Sequence, residues 1–283
     1  MNQVERTSMQ VVGPAPSPAI AYPLHPEQLP AGVCSAGRYQ LRFARSRDDL
    51  RAIQRLRFEV FNLELDEGLD EAFLLGRDED HFDAHCHHLM VLERESGVVV
   101  GTYRFMTAEL AKSRGGFYSE TEFDFTRMPP EILASGAEIG RACVHADHRS
   151  GRVIHLLWRG IARYLAWNQK RFLFGCASVP STDPAVAFML RDALRAQEKM
   201  HPFIHLDALP ELRCEDRESV VGIDAPGLPP LLQSYLSLGA HVASEPALDL
   251  AFKVIDFLVV LDSTRLPSAA RRSYFERNRW SEA

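Results

Sequence analysis

Cysteine is scarce in this chain and is arranged for no evident chemistry. The five cysteines among 283 residues (Cys34, Cys86, Cys143, Cys176, Cys214) are odd in number and contain no C-x-x-C pair. Neither a disulfide framework nor a thiolate zinc site is therefore indicated, and a reducing compartment fits. Long apolar runs are missing too: nowhere does the chain supply the ~20 uninterrupted apolar residues of a membrane span. The opening MNQVERTSMQVVGPAPSPAIAYPLHPEQLPAG has neither the basic start nor the apolar block of a signal peptide, so we expect a cytoplasmic protein. An excess of positive charge is also lacking. A net charge of −6 and a pI near 6.0 argue against nucleic acid as a partner.

What remains is the composition of an ordinary soluble protein, 46% hydrophobic and 25% charged. Residues 1–37 are rich in proline and have neither helical nor strand period, which predicts a flexible tail. The domain then runs over 38–283. RYQLRFA (38–44) alternates as a half-buried strand, and Ser46 with Asp49 three residues on predicts a capped helix over about 47–65. On that helix Ile53, Leu56, Val60 and Leu63 share one arc, with Arg57 and Glu64 inside it. Such charges either pair with each other or line a cavity.

A hairpin is expected within 87–110, turning at Glu95–Gly97 and with its second strand ending near Arg104. A strand within 137–151, a helix over 152–170, a strand over 171–179, a helix over 183–197 opened by Asp183 and Pro184, a variable section to about 225, a short helix over 229–239 and a last paired segment follow. This order predicts an α/β fold, a single domain with a mixed central sheet and helices on both faces.

The stretch AEIGRACVHADHRSG (137–151) contradicts itself as a strand, because Glu138 and Arg141 stand among small and apolar residues. A glycine inside a strand often marks a bulge, and one extra residue near Gly140 would turn both charges to the same face. An acid, a guanidinium and a freed N–H would suit acyl transfer: a base for an incoming amine, a cation for an anionic substrate and a dipole for a thioester oxygen. A purely structural Glu–Arg pair would account for the same residues.

The stretches LRFEVFNLEL (56–65), DEDHFDAHCHHLMVL (78–92), VVGTYRF (99–105), GGFYSETEFDF (115–125), EIGRACVHADHR (138–149), LLWRGIARYL (156–165), FGCASV (174–179) and LPPLLQSYLSLGA (228–240) occur in that order. Together they resemble the acyltransferase branch of the N-acetyltransferase (GNAT) fold, most closely the hemolysin-like ornithine-lipid synthases. The resemblance implies transfer of a 3-hydroxy fatty acyl chain from acyl carrier protein to the α-amine of an amino acid, ornithine first, with no cofactor beyond the carrier thioester and with peripheral contact with the inner membrane at most. The more distant acyl-homoserine-lactone synthases carry an Arg and a Phe one turn apart on the first helix, resembled by Arg57 and Phe61. Their paired aspartates are resembled by Asp80 and Asp83, their third-strand Arg by Arg104, and their acid followed by Arg by Glu138 and Arg141. Glu138 is thereby implied as the base, with Arg57, Arg104 and Arg141 holding carboxylate, phosphate or the acyl hydroxyl. An autoinducer-type synthase and a non-catalytic acyl-lipid-binding protein are the alternative readings.

Departures from the pattern are informative. The coenzyme A pyrophosphate loop, Q/R-x-x-G-x-G/A at a helix N-terminus, is degenerate as HRSGRV (148–153): Gly151 is kept, between Arg149 and Arg152. A single phosphodiester needs less cradle, which favours the carrier protein as donor. Arg149, Arg152, Arg159, Arg163, Lys170 and Arg171 form a local basic cluster, either a face that meets an acidic carrier or a solvated helix face. In PALDLAFKVIDF (246–257), Lys253 stands where related chains tend to have Asn, while Asp249, Phe252 and Asp256 remain; Asp249 is taken as substrate-binding and the acceptor stays open. The histidines of DHFDAHCHH are not read as a metal site, and Cys143 is read as a small buried residue rather than a nucleophile. Phe105, Phe117, Tyr118, Phe123 and Phe125 either line an acyl tunnel or pack the core.

Overall fold

The computed structural model describes residues 21–214, 227–276 and 280–281. Among the described residues, nine strands form one sheet: β1 (Cys34–Ala36), β2 (Tyr39–Phe43), β3 (His87–Glu93), β4 (Val99–Thr107), β5 (Gly136–Val144), β6 (Phe172–Val179), β7 (His241–Val242), β8 (Ala247–Asp249) and β9 (Val254–Asp262). The order is β1-β2-β3-β4-β5-β6-β9-β7, with β8 also on β9. Every pair is antiparallel except β5 and β6, which a crossover helix must join.

That crossover is α5 (Arg152–Trp167), which covers one face together with α6 (Pro184–Ala196), α7 (Pro230–Ser237) and α8 (Ser268–Arg271). Their apolar sides meet Leu41, Leu89, Tyr103, Phe105 and Phe257 of the sheet. Gly160 sets how closely α5 seats, because a Cβ there would stand 2.4 Å from Leu89 Cδ2. The other face is covered by α1 (Arg47–Phe58), α3 (Ala108–Arg114) and α4 (Pro130–Ser135), over two separate apolar clusters. The short α2 (Ala72–Leu75) lies outside both layers.

α1 starts as expected: the Ser46 side chain accepts from Asp49 N–H at 3.1 Å. Its last stretch, Glu59–Glu64, widens into a π-helical turn, a feature frequent at functional sites. The wider turn breaks the 100° phase, so Leu63 leaves the predicted arc and is 61% exposed.

The predicted tail needs correction. Residues 21–37 are packed into the domain: His87 bonds Leu24 O at 2.7 Å, Tyr22 Oη bonds His88 Nδ1 at 3.0 Å, Leu29 is buried and β1 extends the sheet. Proline hides this segment, and Tyr22 and Leu24 bond side chains more than 60 residues away, which leaves no local period there. Residues 1–20, the rest of that tail, and 215–226, most of the variable section's end, lie outside the described residues.

Candidate active site

The parallel pair β5–β6 keeps register only from Gly136↔Phe172 to Glu138↔Phe174. Beyond it the two backbones touch once more, at Gly175, where a Cβ would fall 2.1 Å from Ile139 O. From there they diverge, and a cavity of about 260 Å³ opens between them, lined among others by Arg104, Tyr118, Glu138, Arg141, Ser178 and Asp256. The expected bulge is present. Thr102 faces Cys143 and Arg104 faces Gly140, so β5 spends one extra residue opposite Tyr103. Arg141 absorbs it with φ +49°, a left-handed conformation that costs an arginine about 1–2 kcal/mol.

The bulge brings Glu138 and Arg141 to the same cavity, but not to each other. Glu138 accepts from Tyr118 N–H at 2.8 Å, Ser119 N–H at 2.6 Å and Ser119 Oγ at 2.5 Å. Burial pushes its pKa up while these three donors oppose the rise. A carboxylate has roughly four acceptor directions, so one stays for a ligand or water. Arg141 instead donates to Asp78 Oδ1 at 3.1 Å and lies over the rings of Phe61 and Phe252 at 5.5 and 4.6 Å. Its buried Nε–H has no hydrogen-bond partner.

Arg57 departs from both expectations raised by its helix. It neither pairs with Glu64 nor lines the cavity: fully buried, it donates to Asp78 Oδ2 and Asp83 Oδ1, both at 2.7 Å. Arg104 donates to Asp80 Oδ2 at 2.6 Å and to Asp83 Oδ1 at 3.0 Å. Three guanidiniums (Arg57, Arg104, Arg141) thus interlock with three carboxylates (Asp78, Asp80, Asp83). Of the six, Arg104 and Arg141 line the cavity; Arg57, Asp78, Asp80 and Asp83 hold them from behind. Burial alone would raise Asp83, yet Arg57 beside it keeps its carboxyl well below the usual range. Nothing in the sequence distinguishes Asp78, which stands in an acidic loop.

A second group is reached only in part from the sequence, which marks Asp249 as substrate-binding and Asp256 near it but gives no sign of Glu122. Glu122, Asp249 and Asp256 bring carboxylate oxygens within 4.8 Å of one another. Glu122 is 2% exposed, and neither of its oxygens has a hydrogen-bond partner; the Cys176 thiol beside it donates to Ser119 Oγ instead. Burial, reinforced by Asp256, pushes Glu122 well above the carboxylate range against the nearby Cys176 and Tyr118 side chains, and burial lifts Asp256 to about 7 against the Ser178 hydroxyl that donates to it at 2.7 Å. Asp249 caps the turn between β8 and β9 by accepting from Ala251 and Phe252 N–H at 2.8 and 3.0 Å. Lys253 reaches Asp66 at 2.9 Å.

Apart from Tyr118, the remaining candidates lie away from the cavity lining. Gly151 caps α5 with φ +86°, where a side chain would be strained, and Arg152 is exposed on the first turn. Arg149 forms a two-pronged ion pair with Glu64. The local basic cluster is broken up: Lys170 pairs with Glu109, Arg171 with Asp262 and Glu131, and Arg163 lies over Trp167. His87 and His88 are buried and engaged with Tyr164, Leu24 and Tyr22. Burial pushes the Cys143 thiol up to about 12, consistent with a packing role. Of the five aromatics considered for an acyl tunnel, Tyr118 lines the cavity, Phe105, Phe117 and Phe123 are core, and Phe125 packs against it.

Parallel strands splayed around a largely apolar cavity that also holds Glu138, Arg104 and Arg141, with a helix starting just past the first of them, are the features of the GNAT fold. Residues 56–159 match the acetyltransferase (GNAT) domain family. An L-ornithine N(alpha)-acyltransferase of Brucella abortus (strain 2308) is 32% identical over 251 residues, 82% of this chain and 87% of its own. That of Agrobacterium fabrum (strain C58) is 34% identical, covering 80% of this chain and 81% of its own. That of Rhodobacter capsulatus is 32% identical, covering 84% and 95%. The chain belongs to the family of these N-acyltransferases. A solved acyl-homoserine lactone synthase, BjaI, aligns over 82% of either chain at 15% identity with a TM-score of 0.48, too slight a likeness to bear on activity.

Proposed function

We propose that this chain transfers a 3-hydroxy fatty acyl group from acyl carrier protein to the α-amine of ornithine, releasing a lyso-aminolipid. The observation that carries the reading is the cavity between β5 and β6, where Glu138, Arg104 and Arg141 share one face. The acyl thioester enters the wedge between the strands. Glu138 takes the ammonium proton, directly or through water, because an ammonium has no lone pair with which to attack. The neutral amine adds to the carbonyl carbon, and the tetrahedral adduct breaks its C–S bond as the amide forms, the second nitrogen proton passing to the departing sulfur so that the carrier leaves as its thiol. Arg141 binds an oxyanion or the substrate carboxylate, a role supported by its Nε–H, which makes no hydrogen bond although Asp80 stands 3.8 Å away. Arg149 is occupied by Glu64, so little cradle remains for a pyrophosphate, which supports the carrier protein over coenzyme A.

A lipid product also suits the surface near the cavity mouth. Leu65 and Phe252 line the cavity, and Leu63, Leu65, Phe73, Leu74, Leu75 and Leu250 are exposed in the segments beside them, Leu74 to 87%. Such apolar exposure fits peripheral membrane contact. Among the described residues, no helix is long and apolar enough to cross a membrane.

The test is mass spectrometry of products from purified protein, 3-hydroxyacyl carrier protein and ornithine, with acyl-coenzyme A and Glu138→Gln in parallel. The expected result is N-acylornithine from the carrier thioester, reduced at least about a hundredfold by the substitution. No acylornithine from either thioester would overturn the reading.

A further inference from the structure

We infer that Glu122, Asp256 and Asp249 form the seat for the side-chain ammonium of the acceptor, making this a site selective for a basic diamino acid. The inference rests on the proposed amino-acid acyl transfer and adds where its acceptor is recognised. Three carboxylates whose oxygens lie within 4.8 Å of one another cannot all be ionised without a cation. Among the described residues, the nearby cations are drawn elsewhere: Arg141 to Asp78, and Lys253 to Asp66. Glu122 is the decisive member. It is 2% exposed, it lines the cavity, and both its oxygens lack partners, an arrangement that is unfavourable unless a ligand's donor arrives.

Geometry assigns this seat to the side chain rather than to the reacting amine. Glu138 and the Arg141 bulge mark the end of the cavity where β5 and β6 separate, which is where a thioester can enter. Asp256 pairs with Ser178, further along β6, and Glu122 joins it from the segment before α4. The methylene chain of ornithine bridges the two ends of one cavity, with its α-carboxylate toward Arg141. A neutral side chain would leave Glu122 buried and unpaired.

The test is direct binding by calorimetry, without donor, of ornithine and of 2-aminopentanoate, which is ornithine lacking the δ-amine. Wild type, Glu122→Gln and Asp256→Asn are compared, with MnCl2 alone as a further titrant. Wild type is expected to bind ornithine about a hundredfold more tightly, and each substitution to reduce that preference below about tenfold. Both variants keep the shape of the side chain, and Glu122→Gln removes no hydrogen bond, so the folded protein survives to be measured. Equal binding of the two amino acids, no binding of either, an unchanged preference in both variants, or Mn2+ binding that ornithine does not displace would each overturn the seat. Ornithine binding with the expected preference but no acyl transfer would instead refute the proposed reaction and leave the seat standing.

Discussion

Arg57→Met tests whether Arg57 is scaffold or substrate ligand. The side chain is fully buried, and its partners Asp78 and Asp83 are each only 2% exposed. With Arg104 and Arg141 the six-membered network is neutral, three positive against three negative. Removing Arg57 deletes two charge-assisted bonds of 2.7 Å and leaves one surplus buried negative charge. Breaking a buried ion pair from one side costs about 3–5 kcal/mol. With a urea m-value of roughly 2.5 kcal/mol/M, the unfolding midpoint should fall by about 1.5 M. Arg57→Lys should fall between, because one ammonium cannot fork to both carboxylates. Adding Asp83→Asn to Arg57→Met should recover part of the loss. Urea unfolding followed by circular dichroism reads all three. A midpoint for Arg57→Met within about 0.3 M of wild type, together with lost activity, would refute the scaffold reading and return Arg57 to the substrate.

Three further expectations rest on particular contacts. Glu138→Gln should lose about 1–3 kcal/mol of stability as well as activity, since an amide can accept from Tyr118 and Ser119 through one oxygen only; an unaltered melting temperature would show that the carboxylate does not hold this loop. Gly160→Ala should destabilise by about 1–3 kcal/mol, because the new Cβ meets Leu89 Cδ2 at 2.4 Å, and a neutral result in thermal unfolding would contradict the seating of α5. Burial lowers His87 from 6.5 to about 4, so between these two values the unfolded chain binds the extra proton. The stability due to a neutral His87 is therefore complete above about pH 6.5 and lost as pH falls through about 4, and His87→Phe should flatten that part of the stability–pH curve.

Much of the architecture is legible because it depends on local pattern. Alternation in 38–44, the Ser46 cap, the Glu95–Gly97 turn and the Asp183–Pro184 start each announce an element through short-range sterics and hydrogen bonds. The bulge is legible for the same reason, since two charges and a glycine inside an apolar strand are costly in a regular one. Legibility fails where partners are distant. Its arc marks Arg57 as anomalous, but its partners lie 21 and 26 residues on, and the nearer Glu64 turns to Arg149 on another element. β1 is missed for another reason: it pairs with the adjacent β2, Ala36 with Tyr39, but its three residues are too few to show an alternation.

The class of fold, the family, and the presence on one strand of an acid and a guanidinium that must face a cavity are all carried by the amino-acid order. Those properties reside in residue types at short spacing, where covalent geometry sets which side chains share a face. Which charges are consumed in the Arg57 network and which remain open follows from the folded chain alone. Folding also brings Glu122, Asp249 and Asp256 together, from before α4, from β8 and from β9. Ionic and hydrogen-bond satisfaction is settled by distance in space, and the divergence of β5 from β6, which no local spacing encodes, sets those distances.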